Sequence, residues 1–216
     1  METAGKVICI ELDTRMIQIL QDRFSMYNNF ELINDDVLKV DLKSLIKENK
    51  KDKIKAVKIV ANLPYYITTP IIMKLLEERL EIESITVMVQ KEVADRLAAR
   101  PGEKNSGAIT CSISYFADAE KVLEVPSTSF MPAPEVNSSV IKLNILKEPS
   151  VKVKNEEMLF KVIKLAFAQK RKTLLNALTN GNLASKEEVE KMLTALNLDL
   201  KIRGEKLSLQ DFANIA

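Results

Sequence analysis

Histidine is absent from this chain of 216 residues, which also has only two cysteines and five glycines. Without imidazole there is no Ser-His or Cys-His nucleophile, no imidazole acid–base catalyst and no histidine-ligated metal. Cys9 and Cys111 are too few for a four-cysteine metal site or a disulfide framework, and they indicate small buried residues in a reducing, cytoplasmic compartment. The sequence therefore predicts chemistry that needs neither imidazole nor zinc.

Membrane and export signals are also missing. No apolar run approaches the roughly 18 residues that a membrane span needs, and no basic segment followed by an apolar stretch marks a signal peptide at the start. Hydrophobic residues make up 46% and charged residues 29% of the chain, which is typical of a soluble globular protein.

The net charge of +2 is unevenly distributed. Residues 151–216 contain 12 Lys and Arg against 8 Asp and Glu, whereas residues 1–150 contain 20 against 22. A basic C-terminal part fits a surface that faces nucleic acid. The alternative is a solvated helical surface with surplus lysines.

Residues 6–146 alternate between short β-branched runs and amphipathic segments, which predicts an α/β domain with a largely parallel sheet. Asp13 is the expected N-cap of the first helix. The predicted strands cover 6–12, 30–33, 57–61, 84–90, 120–125 and 138–146, and the predicted helices cover 13–24, a segment from Pro70, 91–99 and 107–116.

A polar, proline-bearing break at 147–150 separates this part from a region in which only the helical period is found. We therefore predict two domains, 1–146 and 147–216. Helices are predicted at 155–169, 171–180, 186–196 and 208–214, with Gly181 and Gly204 as stops.

Polar side chains stand at the ends of three predicted strands: Glu11, the pair Asp35 and Asp36, and Asn62. Ligands of an open parallel sheet bind outside the carboxyl ends of its strands, so these residues are expected at one sheet edge. A carboxylate such as Glu11 can accept two hydrogen bonds from a ribose diol. The alternative is that the acids cap the following helices, and neither acid identifies a ligand on its own.

Asn62, Leu63, Pro64 and Tyr65 place an amide, a stiffened turn and an aromatic ring directly after a buried strand. The exocyclic amine of adenine is a weak nucleophile, because its lone pair is delocalised into the ring. The Asn62 carbonyl and a backbone carbonyl of the turn would accept its two N–H groups and stabilise the developing positive charge. Tyr65 offers a face on which an extruded base can stack. The alternative is an ordinary turn with a half-buried tyrosine.

A second aromatic residue, Phe130, lies in a proline-rich loop that runs from Pro126 to Pro134. Its ring is either a plug in the core or the second wall of a base-binding clamp.

These features together resemble the KsgA-type ribosomal RNA adenine dimethyltransferases, and the resemblance spans essentially the whole chain. The Asn-Leu-Pro-Tyr turn followed by Phe-x-Pro-x-Pro-x-Val is a specific combination. The segments that carry the resemblance are Ile10–Asp13, Asp36–Leu38, Asn62–Pro70, Gln90–Leu97, Phe130–Ser138 and Phe167–Leu178.

The resemblance implies a Rossmann-like methyltransferase sheet that uses S-adenosylmethionine, followed by a small all-helical RNA-binding domain. Glu11 would bind the cofactor ribose, Asp36 the amino group of its adenine, and Asn62 would bridge cofactor and target amine. Tyr65 and Phe130 would hold the target base between them. Transfer would occur twice on each of two adjacent adenosines near the end of 16S ribosomal RNA in the small subunit, by positioning alone.

The chain departs from the family pattern before Glu11, where family members have a strand and a glycine-rich loop for the methionine part of the cofactor. None of the five glycines supplies such a loop. We therefore expect an N-terminally shortened member whose sheet lacks the strand that normally lies at its centre.

Basic residues cluster at Gln169–Lys172, on a helix whose apolar positions Val162, Leu165, Ala166 and Leu174 are predicted to face inward. Taken with the resemblance, this predicts contact with RNA phosphates rather than a solvated cationic helix. The predicted RNA-binding residues are Lys170, Arg171, Lys172 and Arg203, with Lys201 and Lys206 extending the surface and Lys91, Arg96 and Arg100 as weaker candidates.

The leading hypothesis is thus a monomeric small-subunit ribosomal RNA dimethyltransferase that acts in ribosome biogenesis, with no membrane or metal partner. One alternative is a non-catalytic RNA-binding factor for ribosome assembly, since the glycine-rich loop is absent. Others are a large-subunit ribosomal RNA methyltransferase that confers antibiotic resistance and a methyltransferase acting on DNA or small molecules.

Overall fold

The computed structural model describes residues 2–50, 56–169 and 171–216. The chain forms two compact units, one made of Met1–Val57 and Ile67–Ile82, the other of Lys58–Tyr66 and Glu83–Ala216. These two units do not test the domain boundary that the sequence predicts near residue 147, which stays a prediction. No helix in the described ranges is long and apolar enough to cross a membrane.

The first unit contains a two-stranded parallel sheet. Its strands, β1 (Val7–Glu11) and β2 (Phe30–Asn34), pair in register from Val7 opposite Phe30 to Glu11 opposite Asn34. As predicted, Asp13 caps the first helix, accepting a hydrogen bond of 2.9 Å from the Arg15 backbone N–H. The elements of this unit are β1 (Val7–Glu11), α1 (Thr14–Phe24), β2 (Phe30–Asn34), α2 (Leu42–Asn49) and α3 (Thr68–Glu77).

The second unit contains a four-stranded sheet made of β3 (Lys58–Asn62), β4 (Ser84–Gln90), β5 (Ala117–Val125) and β6 (Ser138–Ile145). Their order in the sheet is β3, β4, β6, β5. Strands β3 and β4 are parallel, whereas β6 runs antiparallel to both β4 and β5. Ile85, Val87 and Ile141 are almost completely buried in the central strands. The elements are β3 (Lys58–Asn62), β4 (Ser84–Gln90), α4 (Lys91–Leu97), α5 (Ala108–Phe116), β5 (Ala117–Val125) and β6 (Ser138–Ile145).

Helices complete the second unit after residue 150. α6 packs against α5, where Tyr115 and Phe116 contact Phe160 and the Tyr115 hydroxyl donates to Glu156 at 3.0 Å. The elements are α6 (Glu156–Ala168), α7 (Leu174–Asn180), α8 (Lys186–Ala195), α9 (Leu209–Ile215) and two 3₁₀ turns at Ser127–Ser129 and Gly204–Lys206.

The strand pairing differs from the largely parallel sheet that the sequence predicts. The described strands form two hydrogen-bonded sheets, and two of their four strand pairings are antiparallel. The antiparallel pairing of β5 and β6 fits their connection, because the loop at 126–137 contains one 3₁₀ turn and no α-helix, whereas parallel neighbours are usually joined by a crossover helix.

The element predictions missed helix α2, which begins after Asp41. This carboxylate accepts hydrogen bonds from the Ser44 backbone N–H at 2.9 Å and from its hydroxyl at 2.8 Å. Gly204 does not stop a helix as predicted but begins a 3₁₀ turn, where a Cβ atom would lie 2.9 Å from the Ala166 carbonyl oxygen. The glycine is thus explained by close backbone approach.

Candidate functional site

Glu11 ends strand β1, as predicted, and its side chain is half-buried. Its Oε1 atom accepts a hydrogen bond of 2.8 Å from the Asp13 backbone N–H. Its Oε2 atom forms no hydrogen bond with the described residues. The two interpretations of Glu11, as a capping residue and as a ligand-binding residue, are therefore compatible. One carboxylate oxygen bonds within the turn, and the other can accept a hydrogen bond from a ligand.

Asp36 follows β2 and repeats this arrangement. Its Oδ1 atom accepts from the Leu38 backbone N–H at 2.9 Å, and Oδ2 has no partner in the described part of the chain. The residues after Asp36 form a turn rather than the capped helix considered from the sequence. Asp35 lies beside it and accepts from the Asp36 backbone N–H at 2.7 Å.

The Asn62–Tyr65 turn begins where β3 ends. Asn62 is the last residue of the strand; its side chain is exposed and makes no hydrogen bond with any described residue. Leu63 is buried, and its backbone N–H donates to the Met88 carbonyl at 3.4 Å. Pro64 follows, with its side chain exposed. The turn therefore presents an unengaged carboxamide on a backbone that is tied to the neighbouring strand.

Tyr65 and Tyr66 are adjacent but held differently. The Tyr65 side chain is partly exposed, and its hydroxyl forms a hydrogen bond of 2.9 Å with the Oγ atom of Ser138, a fully buried residue. Tyr66 is 87% exposed and makes no hydrogen bond with the described residues. Only Tyr65 combines an accessible ring with a fixed tip.

Phe130 is half-buried, so it is neither a core plug nor a fully exposed ring. It follows the 3₁₀ turn Ser127–Ser129, and its backbone N–H donates to the Ser127 carbonyl at 3.2 Å. The turn is held by the residue that precedes β6, since the Asn137 side-chain oxygen accepts from the Ser127 N–H at 3.0 Å. Tyr65 and Phe130 make no ring-to-ring contact in the described structure, which leaves each ring free to contact another group.

The resemblance implies S-adenosylmethionine as the cofactor, and the positions of the acidic residues and the glycines indicate which part of it this chain could bind. The acceptor oxygens of Glu11 and Asp36 suit the hydroxyl and amino groups of a nucleoside. Within the described ranges no glycine stands in a loop that follows the carboxyl end of a strand, so no glycine-rich cradle for an amino-acid group is found. The fit is therefore to the nucleoside half of the cofactor.

The described residues of the basic cluster, Gln169, Arg171 and Lys172, are not helical, which corrects the prediction that Gln169–Lys172 lies on a helix. Helix α6 ends at Ala168 and α7 begins only at Leu174, capped by the Thr173 hydroxyl. Arg171 and Lys172 are exposed in the connecting turn, and Lys170 lies outside the described residues. The inward positions were predicted correctly, since Val162, Ala166 and Leu174 are buried and Leu165 is half-buried.

The turn at Arg171–Thr173 lies beside the segment Lys201–Arg203, because the Leu174 N–H donates to the Ile202 carbonyl at 2.7 Å. Arg171, Lys172, Lys201 and Arg203 are all exposed, and none forms an ion pair within the described residues. Lys206 is also exposed. Among the weaker candidates, Lys91 and Arg96 are engaged in ion pairs with Glu124 and Glu92, respectively. Arg100 lies three residues after the end of α4, and its backbone N–H donates to the Glu103 side chain at 2.9 Å.

Both cysteines are free thiols, and Cys111 is completely buried as predicted. Burial raises the pKa of the Cys111 thiol to about 12. Cys9 is half-buried, and burial together with the nearby Glu11 carboxylate raises the pKa of its thiol. Among the described residues no group of three or more cysteines and acids is arranged to hold a metal ion.

Sequence reasoning missed Ser138 and Asn137 as members of the site. Ser138 belongs to the Phe130–Ser138 motif, but only the folded chain brings its hydroxyl to Tyr65, 73 positions earlier. No local pattern marks such a contact.

Comparison with known proteins places these features in a family context. A family model described as ribosomal RNA adenine dimethylase matches residues 1–216. The ribosomal RNA small subunit methyltransferase A of Geobacillus thermodenitrificans is 48% identical over 216 residues, which cover 99% of this chain and 73% of that protein.

Two solved structures are similar in fold. A dimethyladenosine transferase from Plasmodium falciparum is 28% identical, with a TM-score of 0.77 over 98% of this chain and 81% of that one. The 23S rRNA methyltransferase ErmE is 21% identical, with a TM-score of 0.68 over 99% of this chain and 82% of that one, and this likeness concerns the fold alone.

Proposed function

The chain belongs to the ribosomal RNA adenine dimethylase family, and on this basis we propose that it methylates two adjacent adenosines near the end of small-subunit ribosomal RNA. The Rossmann-like methyltransferase fold expected from the sequence is confirmed by its structural neighbours. The observation that carries the proposal is the Asn62–Tyr65 turn, which offers an unengaged amide oxygen beside an anchored aromatic ring.

Asn62 is proposed to activate the target amine. Its exposed carboxamide oxygen accepts an N–H bond from the exocyclic nitrogen of adenine, and a backbone carbonyl of the Leu63–Pro64 turn accepts the second. Two acceptors in this arrangement would favour a pyramidal nitrogen whose lone pair points away from them. The same dipoles stabilise the positive charge that develops on the nitrogen.

Tyr65 and Phe130 are proposed to stack on the extruded target base. Both side chains are partly accessible. The Tyr65 hydroxyl is bonded to Ser138, and the Phe130 backbone belongs to a turn whose Ser127 N–H is bonded to Asn137. Stacking on aromatic rings is worth about 1–3 kcal/mol per base. This gain compensates for removing the adenine from its place in the RNA.

Glu11 and Asp36 are proposed to bind S-adenosylmethionine, which supplies an electrophilic methyl group on a positively charged sulfur. Each has one carboxylate oxygen engaged in its own turn and one without a partner in the described residues. The available oxygen of Glu11 would accept from ribose hydroxyls, and that of Asp36 from the adenine amino group of the cofactor.

The RNA-binding surface is proposed to consist of Arg171, Lys172, Lys201 and Arg203, with Lys170 next to them in sequence. A backbone hydrogen bond joins the two segments that carry the four described cations, none of which is neutralised by an ion pair. Cations on an exposed turn can reach phosphates without reading the base sequence. These cations would hold structured ribosomal RNA on the protein. In such RNA, bases are recognised once they are splayed out.

The test of this function is methyl transfer to small ribosomal subunits that lack the modification, measured with Tyr65→Ala and with Tyr66→Ala as the matched control. Loss of stacking in Tyr65→Ala should lower methyl transfer by roughly 10- to 100-fold and leave subunit binding within about threefold. Tyr66→Ala should cost much less, because that ring is unanchored. No transfer by the unchanged chain would refute the activity, and equal losses of transfer and binding in Tyr65→Ala would refute the stacking role.

The RNA surface has a separate test, the salt dependence of binding to small-subunit RNA. Replacing Arg171 and Lys172 by alanine should reduce the slope of log affinity against log salt by about 1.5, at about 0.7–0.9 for each phosphate that is no longer neutralised. Lys161→Ala with Lys164→Ala removes the same charge from the exposed face of α6, and should leave the slope nearly unchanged. Equal changes in both double variants would show only a general charge effect.

A further inference from the structure

Two adjacent residues, Asn137 just before β6 and Ser138 at its start, hold the two aromatic segments of the proposed site. Ser138 bonds to the Tyr65 hydroxyl, and Asn137 bonds to the turn that leads to Phe130. Their own backbone is fixed from both sides. The Asn137 carbonyl accepts from the Lys91 N–H at 2.9 Å, and Ser138 lies in register between Gln90 of β4 and Val125 of β5.

We propose that Ser138 and Asn137 are positioning residues that set the orientation of Tyr65 and the position of Phe130 for base stacking, an inference that rests on the proposed function. A tyrosine ring pivots about its first two side-chain torsions, and the tip moves furthest. Bonding the tip to a buried hydroxyl on a central strand removes this freedom while the ring remains open to a ligand.

Ser139 shows that this part of the fold does not itself require a bonded hydroxyl. It is as buried as Ser138, yet its Oγ atom has no hydrogen-bond partner in the described structure. The two neighbours point to opposite sides of the strand, as successive residues do. Ser139 is therefore a matched control that differs from Ser138 in lacking the contact with Tyr65.

Asn137 acts on the second aromatic residue through the backbone. Its side-chain oxygen is the acceptor for the Ser127 N–H, and the Ser127 carbonyl in turn accepts from the Phe130 N–H at 3.2 Å. This chain of two hydrogen bonds connects β6 to the residue that carries the ring. An aspartate at 137 would keep an acceptor oxygen, whereas an alanine would not.

The experiment for Ser138 is a double-mutant cycle with Tyr65→Phe, measured as methyl transfer to unmodified small subunits. Ser138→Ala and Tyr65→Phe remove the two ends of one hydrogen bond, so each should lower kcat by about 3- to 10-fold with little change in KM. The double variant should be no worse than either single variant. Ser139→Ala should match the unchanged chain in kcat.

The experiment for Asn137 compares two substitutions in the same assay. Asn137→Ala should lower kcat by about 3- to 10-fold, whereas Asn137→Asp should recover most of the loss, because an acceptor for the Ser127 N–H is retained. Equal losses in the two variants would remove Asn137 from the proposal.

Stacking is followed independently of methyl transfer with an RNA that carries 2-aminopurine at the target position. Its fluorescence should change on binding the unchanged chain, and this change should be reduced by Ser138→Ala but not by Ser139→Ala. Thermal unfolding of each variant checks that it folds; Ser138→Ala leaves only a partly exposed phenol without its partner, which water can satisfy.

The outcomes separate the inference from the function on which it rests. If the unchanged chain neither transfers methyl groups nor alters the 2-aminopurine signal, the proposed function fails and the positioning role with it. If the unchanged chain is active and Ser138→Ala equals it, or if Ser138→Ala and Tyr65→Phe are additive, the function stands and the role of Ser138 is overturned. An equal loss of kcat in Ser139→Ala would mean that the effect of Ser138→Ala comes from packing alone, which also overturns the positioning role of Ser138.

Discussion

The polar residues at the strand ends of the two units are held in opposite ways. At β1 and β2, Glu11 and Asp36 bond to backbone N–H groups only two residues further along the chain. At β3, the Tyr65 hydroxyl bonds to a residue 73 positions away, and the Asn62 carboxamide bonds to no described residue. The first arrangement is local and stiffens its own turn, whereas the second depends on the whole sheet.

This difference separates the roles proposed for the two regions. A carboxylate with one oxygen engaged in its turn is oriented, and its other oxygen can accept from a ligand hydroxyl. An amide with no internal partner has its whole hydrogen-bonding capacity available for a reacting amine, which suits a group needed in the transition state. Substitutions at β1 should therefore change cofactor binding, and substitutions at β3 should change the rate of transfer.

The largest expected effect is that of Asn62→Ala, which removes the unengaged acceptor. Loss of one preorganised polar group at a charge-developing atom costs about 10²- to 10³-fold in kcat, and we expect a loss of this size in methyl transfer to unmodified small subunits. Subunit binding should change little, because the contact is made to the reacting amine.

Asn34→Ala is the matched control, since Asn34 is the amide at the end of β2. Its Nδ2 atom donates to the Glu11 backbone carbonyl at 2.8 Å, so this amide already forms a hydrogen bond within the protein. We expect a lower free energy of unfolding with a much smaller change in kcat. A similar fall in kcat for both variants would remove the distinction between the two strand ends.

The next effect is that of Glu11→Ala on cofactor binding, measured by calorimetric titration with S-adenosylmethionine. Removal of the oxygens that would accept from the ribose should weaken binding by at least about tenfold, at roughly 1.4 kcal/mol or more. Glu11→Gln retains an acceptor for the Asp13 N–H and should lie between.

Asp13→Ala serves as the control for Glu11, because it removes a carboxylate two residues away that caps α1 and faces no ligand in the proposal. Its titration should resemble that of the unchanged chain. Unchanged binding in Glu11→Ala would contradict the role of Glu11, and no binding by the unchanged chain would contradict the assignment of the cofactor.

Local signals explain what could be predicted from the sequence. Asp13 was identified as a cap and Glu11 as a strand end because both act on their own neighbours, and the helices at 156–168 and 186–195 lie within two residues of their predicted bounds. The Asn62–Tyr65 turn and Phe130 were also identified from the sequence, with alternatives left open, and the family resemblance favoured the roles in base binding that are proposed here.

The failures have equally physical causes. The helix predicted from 171 begins at 174, because the Thr173 hydroxyl caps α7 and the backbone turns between the two helices. The antiparallel half of the second sheet and the Tyr65–Ser138 contact are fixed by strand order, which periodicity does not encode.

The smallest effect concerns Asp13 itself and tests how local its contribution is. Hydrogen bonds from the Arg15 guanidinium, and then from the Arg15 backbone N–H, lower the pKa of the Asp13 carboxyl from 3.8 to about 2. A carboxyl whose pKa is depressed by folding contributes stability above its unfolded pKa, and that contribution is lost as the pH falls through the folded value. Asp13 should thus stabilise the protein above about pH 4 and lose this effect between about pH 4 and pH 2.

Asp13→Asn isolates this contribution, because asparagine caps a helix equally well and does not titrate. Denaturant unfolding between about pH 5 and pH 2 should show a shallower loss of stability in Asp13→Asn than in the unchanged chain, and the difference should shrink in high salt. Arg15→Ala should reduce the acid dependence in the same direction. The S-adenosylmethionine titration of Asp13→Asn should be unchanged at neutral pH, and a weakened titration would mean that the turn after β1 is one unit with the ligand site rather than a separate cap.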